Sequence, residues 1–122
     1  MTGDTPPPAP LDAELAGRIA VTGIGAVTPV GTGRAAMWES LLAGRSGFSP
    51  VVSFDTARHT VHLGAEIHGF RPEEHVRTLD PARLGRASQL AIAAARLALA
   101  DAGIGLDTFD GERAGVSMGT TS

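Results

Sequence analysis

The sequence contains no cysteine. Disulfides, thiolate metal sites and cysteine nucleophiles are therefore excluded within these 122 residues. Lysine and tyrosine are also absent, and aromatic residues make up only 4%. The core must then be built from Ala, Val, Leu and Ile. All ten basic residues are arginine, a compositional bias to which we attach no function. No stretch reaches the roughly 18 consecutive apolar residues of a membrane span. The opening MTGDTPPPAPLDAEL lacks the basic and apolar regions of a secretory signal. Net charge is −3, which leaves no electrostatic footprint for nucleic acid. These absences lead us to expect a cytoplasmic protein with no nucleic-acid and no membrane partner.

What is present is enough for one small domain: 122 residues, of which 43% are hydrophobic. Residues 1–17 hold Pro6, Pro7, Pro8 and Pro10 among small polar residues. Such a segment is expected to be a disordered tail. Arg18 to Ile24 reads as a strand buried on both faces, being short, apolar and β-branched. Gly23, Gly25, Pro29 and Gly31 then make a loop. A helix follows from Thr32 or Gly33, with Arg34–Ala43 as its body and Gly44 as its stop. Ala36, Met37, Leu41 and Trp38 are the expected apolar face. Val61–His68 alternates, with Val61, Leu63, Ala65 and Ile67 on one side and His62, Gly64, Glu66 and His68 on the other. That predicts a half-buried strand. A helical turn is expected near Pro72. Pro81–Ala102 is the strongest helix, with Asp80 as N-cap and Gly103 as its end. From Leu90 to Leu99 it is apolar almost all round, the mark of a helix buried on most sides. Ala114–Gly119 reads as a second buried strand. The order is α/β and unfinished, since two core strands and an apolar helix need more partners than this chain supplies.

Three motifs bear on chemistry. VTGIGAVTPVG places Gly23 and Gly25 after a strand, as in a dinucleotide fingerprint. The third glycine is replaced by Thr28, and Pro29 disfavours a helix start there. A tight structural loop is the favoured reading. His62, Glu66 and His68 share a strand face, but His62 and His68 would stand about 20 Å apart along a strand. That is too far to bind one ion, so no metal site and no cofactor is expected. Arg77, Arg83 and Arg86 gather before the long helix. They read as ordinary surface charge or as a docking spot for an acidic partner.

Several segments, in order, resemble one family. RIAVTGIGAVTPVG (residues 18–31) looks like the opening of discrete β-ketoacyl-acyl-carrier-protein synthases, which have the thiolase fold. WESLLAGRSGF (38–48) resembles their first helix and its loop, and Phe54-Asp55 a recurrent pair. AEIHGF (65–70), RASQLAIAAARLALADAG (86–103) and RAGVSMGT (113–120) resemble the next strand, the long helix and the strand after it. Ketosynthases of modular polyketide synthases open differently, with a cysteine in the first strand and loop. The resemblance covers about residues 18–122.

The resemblance implies decarboxylative Claisen condensation of an acyl thioester with malonyl carrier protein, in fatty-acid or polyketide synthesis. A cysteine and two histidines would do that chemistry, and all three are expected C-terminal to this chain. The chain alone is expected to be inactive: an incomplete N-terminal part (residues 18–122) of a thiolase-like βαβαβαββ half. The resemblance implies two partners, acyl carrier protein and a second subunit, in a homodimer or a ketosynthase/chain-length-factor heterodimer. It also implies that basic residues before the long helix meet the carrier protein. Arg83 is the nearest match, with Arg77 and Arg86 beside it. Where relatives tend to have Met-Asp-Arg-Phe, this chain has Leu84-Gly85-Arg86-Ala87. A non-catalytic chain-length-factor subunit is therefore the alternative, and a small nucleotide-binding α/β domain is the second alternative.

Overall fold

The computed structural model describes residues 18–105, 107 and 110–119. The proline-rich tail expected at 1–17 lies outside the described residues. Strand β1 (Val27–Thr28) turns back antiparallel onto β2 (Gly31–Thr32), with Val27 opposite Thr32 and Thr28 opposite Gly31. The Thr28 hydroxyl donates to the Gly31 carbonyl at 2.8 Å across that turn. Helix α1 (Arg34–Leu42) follows directly from Gly33, whose φ of 85° suits glycine. A second ladder pairs β3 (Ser49–Pro50) with β4 (Leu63–Gly64), again antiparallel. A 3₁₀ turn at Pro72–Glu74 and another at Pro81–Arg83 lead into helix α2 (Arg86–Asp101). Hairpin β1–β2 and the Pro72–Glu74 turn both pack on α2.

Both helices stop where glycine allows a left-handed turn. Gly44 (φ 62°) donates to the Leu41 carbonyl and Arg45 to the Ser40 carbonyl. Gly103 (φ 70°) donates to Ala100 and Ile104 to Leu99. These paired bonds satisfy carbonyls that the helix ends would otherwise leave open. The expected limits of α1 are therefore met.

The inward face of α1 is not the expected one. Ala36 and Leu41 are exposed, Trp38 is 58% exposed, and Met37 is half-buried. The buried residue is Ser40. Its hydroxyl donates to the Val30 carbonyl at 2.6 Å, so the helix meets the hairpin through a hydrogen bond. Gly31 completes that contact: a Cβ there would come within 2.8 Å of the Ala36 carbonyl carbon.

The long helix is shorter than Pro81–Ala102. Asp80 does cap the start, accepting from the Ala82 N–H at 3.0 Å. Only a 3₁₀ turn forms there, because Leu84 and Gly85 are extended. The Gln89 amide holds this break, donating to the Pro81 and Leu84 carbonyls at 2.9 and 3.1 Å. Nor is α2 buried on most sides, since only Ala93 is fully enclosed.

The expected strands need the largest correction. Arg18–Ile24 and Ala114–Gly119 join no ladder among the described residues, and Ile19, Val21, Val116 and Met118 are exposed. A strand needs a neighbour for its backbone groups, and neither segment has one here. Of Val61–His68 only β4 is laddered, and the expected alternation of sides is not kept. Val61 and Leu63 are exposed, whereas Glu66 is half-buried. The carboxylate turns inward because backbone N–H groups lie there to receive it.

Candidate functional site

Arg86 opens α2, and its side chain reaches back to the segment before the Pro72 turn. Nη2 donates to the Ile67 carbonyl at 2.9 Å, and the guanidinium carbon lies 4.8 Å from the Phe70 ring centroid. Phe70 in turn stacks on His75, with centroids 5.6 Å apart and planes 2° from parallel. His75 and Val76 both donate backbone N–H groups to the Pro72 carbonyl, at 3.0 and 2.8 Å. Val76 is buried, so the turn is anchored from beneath.

Arg77 follows this anchor directly, and Arg83 sits on the turn that precedes α2. Both are exposed, and neither side chain has a hydrogen-bonded or ionic partner among the described residues. Two acids close by in the chain are engaged elsewhere: Glu74 pairs with Arg71 at 3.5 Å, and Asp80 caps Ala82. An open cavity of about 280 Å³ adjoins this region, where Glu74, His75 and Arg77 face Arg96 and Leu97. The three arginines singled out in the sequence thus fall into two kinds. Arg86 is tied down, while Arg77 and Arg83 project their charge.

The glycines of VTGIGAV serve packing. A Cβ on Gly23 would lie 2.2 Å from the Ala98 carbonyl oxygen. One on Gly25 would lie 1.8 Å from that of Ala94. The segment therefore crosses α2 with backbone against backbone, on a row of alanines four residues apart. A groove of about 600 Å³ runs between this seam and Gly115–Met118.

Two carboxylates fasten the framework: Asp101, which the sequence did not single out, and Glu66, which it offered only as a member of a metal-ligand trio. Asp101 accepts from the Ile24 N–H at 3.0 Å and from Arg34 Nε at 2.9 Å. These two contacts, the backbone one first, hold its carboxyl below the usual aspartate value. Glu66 accepts from the Ser53 hydroxyl, from the Val52 N–H at 2.9 Å and from the Ser53 N–H at 3.2 Å. The Ser53 hydroxyl contributes most to holding its carboxyl low. His68 Nε2 lies 3.9 Å from Glu66, and His62 Nδ1 contacts the Thr56 hydroxyl at 3.1 Å. Among the described residues no group of three His, Cys, Asp or Glu could hold a metal ion. No helix there is long and apolar enough to cross a membrane. Phe70 is the site residue the sequence reading undervalued. Its one signal was scarcity, an aromatic ring in a polar stretch of a chain holding five.

Residues 16–122 match the family described as Beta-ketoacyl synthase, N-terminal domain. The chain is 35% identical over 103 residues to 3-oxoacyl-[acyl-carrier-protein] synthase 2 of Staphylococcus aureus (strain COL), covering 84% of this chain and 25% of that protein. The synthase of the same name from Synechocystis sp. is 30% identical over 103 residues, with the same coverage. Among solved structures, the ishigamide ketosynthase/chain length factor superposes with a TM-score of 0.68 at 38% identity, over 72% of this chain and 22% of that one. The chain thus spans about a quarter of the length of the curated relatives it matches. The two helices in the expected order, the glycine seam on α2 and these matches lead to one assignment: the chain belongs to the β-ketoacyl synthase family, in the region of its N-terminal domain.

Proposed function

We propose that this chain forms part of the N-terminal domain of a β-ketoacyl-acyl-carrier-protein synthase. In the complete protein it would support decarboxylative Claisen condensation of an acyl thioester with malonyl carrier protein. The observation that carries this reading is the family match across residues 16–122. The chain's own part is scaffolding and docking. It contains no cysteine to take up an acyl group. What it offers a substrate carrier is the exposed charge of Arg77 and Arg83, with Arg86 beside them. An acidic carrier protein is the natural partner for such a surface, since opposite charge speeds encounter and fixes orientation.

The full-length protein, supplied with acyl and malonyl carrier protein, should release CO₂ and yield the β-ketoacyl product by mass spectrometry. Arg77→Glu and Arg83→Glu should each raise the KM for carrier protein by roughly fivefold to tenfold with a smaller change in kcat. Absence of product under any subunit combination would overturn the condensing role.

A second reading is favoured by the ketosynthase/chain length factor neighbour and by the altered Leu84–Ala87 segment. In it this chain belongs to the non-catalytic subunit of a heterodimer. Product that forms only when a separate ketosynthase subunit is added would select that reading. Product from this protein alone would select the homodimeric enzyme.

A further inference from the structure

We infer that Arg86 is a positioning residue of the docking surface: it fixes the Phe70–Val76 turn, and with it Arg77, while Arg77 and Arg83 meet the partner. The partner half of this statement rests on the carrier-docking reading above. The positioning half rests on contacts within the chain.

A guanidinium is planar, stacks on aromatic faces and donates in a fixed fork. Arg86 makes two contacts with one short segment, its guanidinium carbon 4.8 Å from the Phe70 centroid and its Nη2 on the Ile67 carbonyl. The Phe70 ring passes that restraint to His75 by stacking. The His75 and Val76 amides close the turn on Pro72, and Arg77 follows at once. Arg83 is placed from the other side. Its turn is joined to α2 by the Gln89 amide on Pro81 and Leu84. The first turn of α2 therefore holds both free cations in place, using Arg86 for one and Gln89 for the other. A lysine at 86 would keep the charge but lose the plane and the fork.

The test uses the full-length protein and hydrogen exchange at the His75 and Val76 amides. Arg86→Lys should speed their exchange about tenfold, as loss of a cation–π contact and a charged hydrogen bond implies. Phe70→Leu, which leaves every charge in place, should open the same amides. The second readout is the salt dependence of carrier-protein affinity. Arg77→Ala and Arg83→Ala should flatten it, and Arg86→Ala should weaken affinity while leaving the slope at the wild-type value. Arg86→Lys should not restore that affinity. Unchanged exchange in both Arg86→Lys and Phe70→Leu would overturn the positioning role. So would recovery of affinity by lysine. If Arg77→Ala and Arg83→Ala leave carrier affinity unchanged, the docking reading fails, and the exchange data still decide what Arg86 does.

Discussion

Glu66 illustrates what a single residue can do in a chain with so little core. In an alternating strand its side is the polar one, which suggests a solvated charge. The structure turns it inward onto the Val52 and Ser53 amides and the Ser53 hydroxyl. It thereby joins the β3 exit to the β4 exit, where only two residues on each strand are paired. Because the native carboxyl titrates below its ordinary value of 4.5, folding favours the charged form. The stabilisation is complete above pH 4.5 and is lost as pH falls through the lowered native value. Asp101 behaves in the same sense below its ordinary value of 3.8. Replacing Glu66 by Gln should lower stability at pH 7 and flatten its decline between pH 4.5 and lower values. Denaturant titrations of the full-length protein and its Glu66→Gln variant at a series of acidic pH values check this, and an unaltered acid limb would contradict it. The sequence could not reveal Glu66's role, since the acid and its partners lie 13 and 14 residues apart in chain. Sequence pattern reports which side a residue faces, not which loop crosses over it.

At the scale of elements, the helices were legible and the strands were not, for a physical reason. A helix closes its own hydrogen bonds and announces its end by a glycine that can turn left-handed, as Gly44 and Gly103 do. A strand is completed by another strand. Arg18–Ile24 has a strand's composition, yet its nearest packing partner in this chain is α2. In the sequence alone Gly23 and Gly25 read as loop residues and as two of the three glycines of an incomplete nucleotide fingerprint. Their place is the seam with Ala94, Ala98 and Ala102, where even a methyl group has no room. Gly25→Ala would drive a Cβ to 1.8 Å from the Ala94 carbonyl oxygen, and backbone cannot swing aside as a side chain can. The cost should reach or exceed the about 1–3 kcal/mol usual for overpacking. Gly111→Ala, a site with open space and an ordinary backbone conformation, is the control and should change stability far less. Helical circular dichroism during denaturation of the full-length variants compares the two, and equal effects would show that the seam is not tight.

The whole molecule follows from where its apolar surface lies. Among the described residues only Val76 and Ala93 are both apolar and buried, while Ile19, Val21, Val116 and Met118 stand in solvent. These four belong to the two extended segments that find no ladder, and the groove of about 600 Å³ lies between those segments on the alanine face of α2. Monomeric proteins rarely leave contiguous apolar surface of this kind uncovered. The same two segments also carry unpaired backbone groups, which invite pairing with further strands. Both needs are met together if additional β-structure inserts beside them, and the curated relatives, of whose length this chain spans about a quarter, have further chain to supply it. On its own, the 122-residue chain should therefore bind a hydrophobic dye such as ANS, self-associate in sedimentation, and melt without a sharp transition. In the full-length protein the dye binding should vanish, and the amides of residues 19–24 and 114–119 should become protected from exchange. A monomeric isolated chain with a cooperative melt and no dye binding would show that the exposed segments need no partner, and the reading of this chain as one part of a larger sheet would fall.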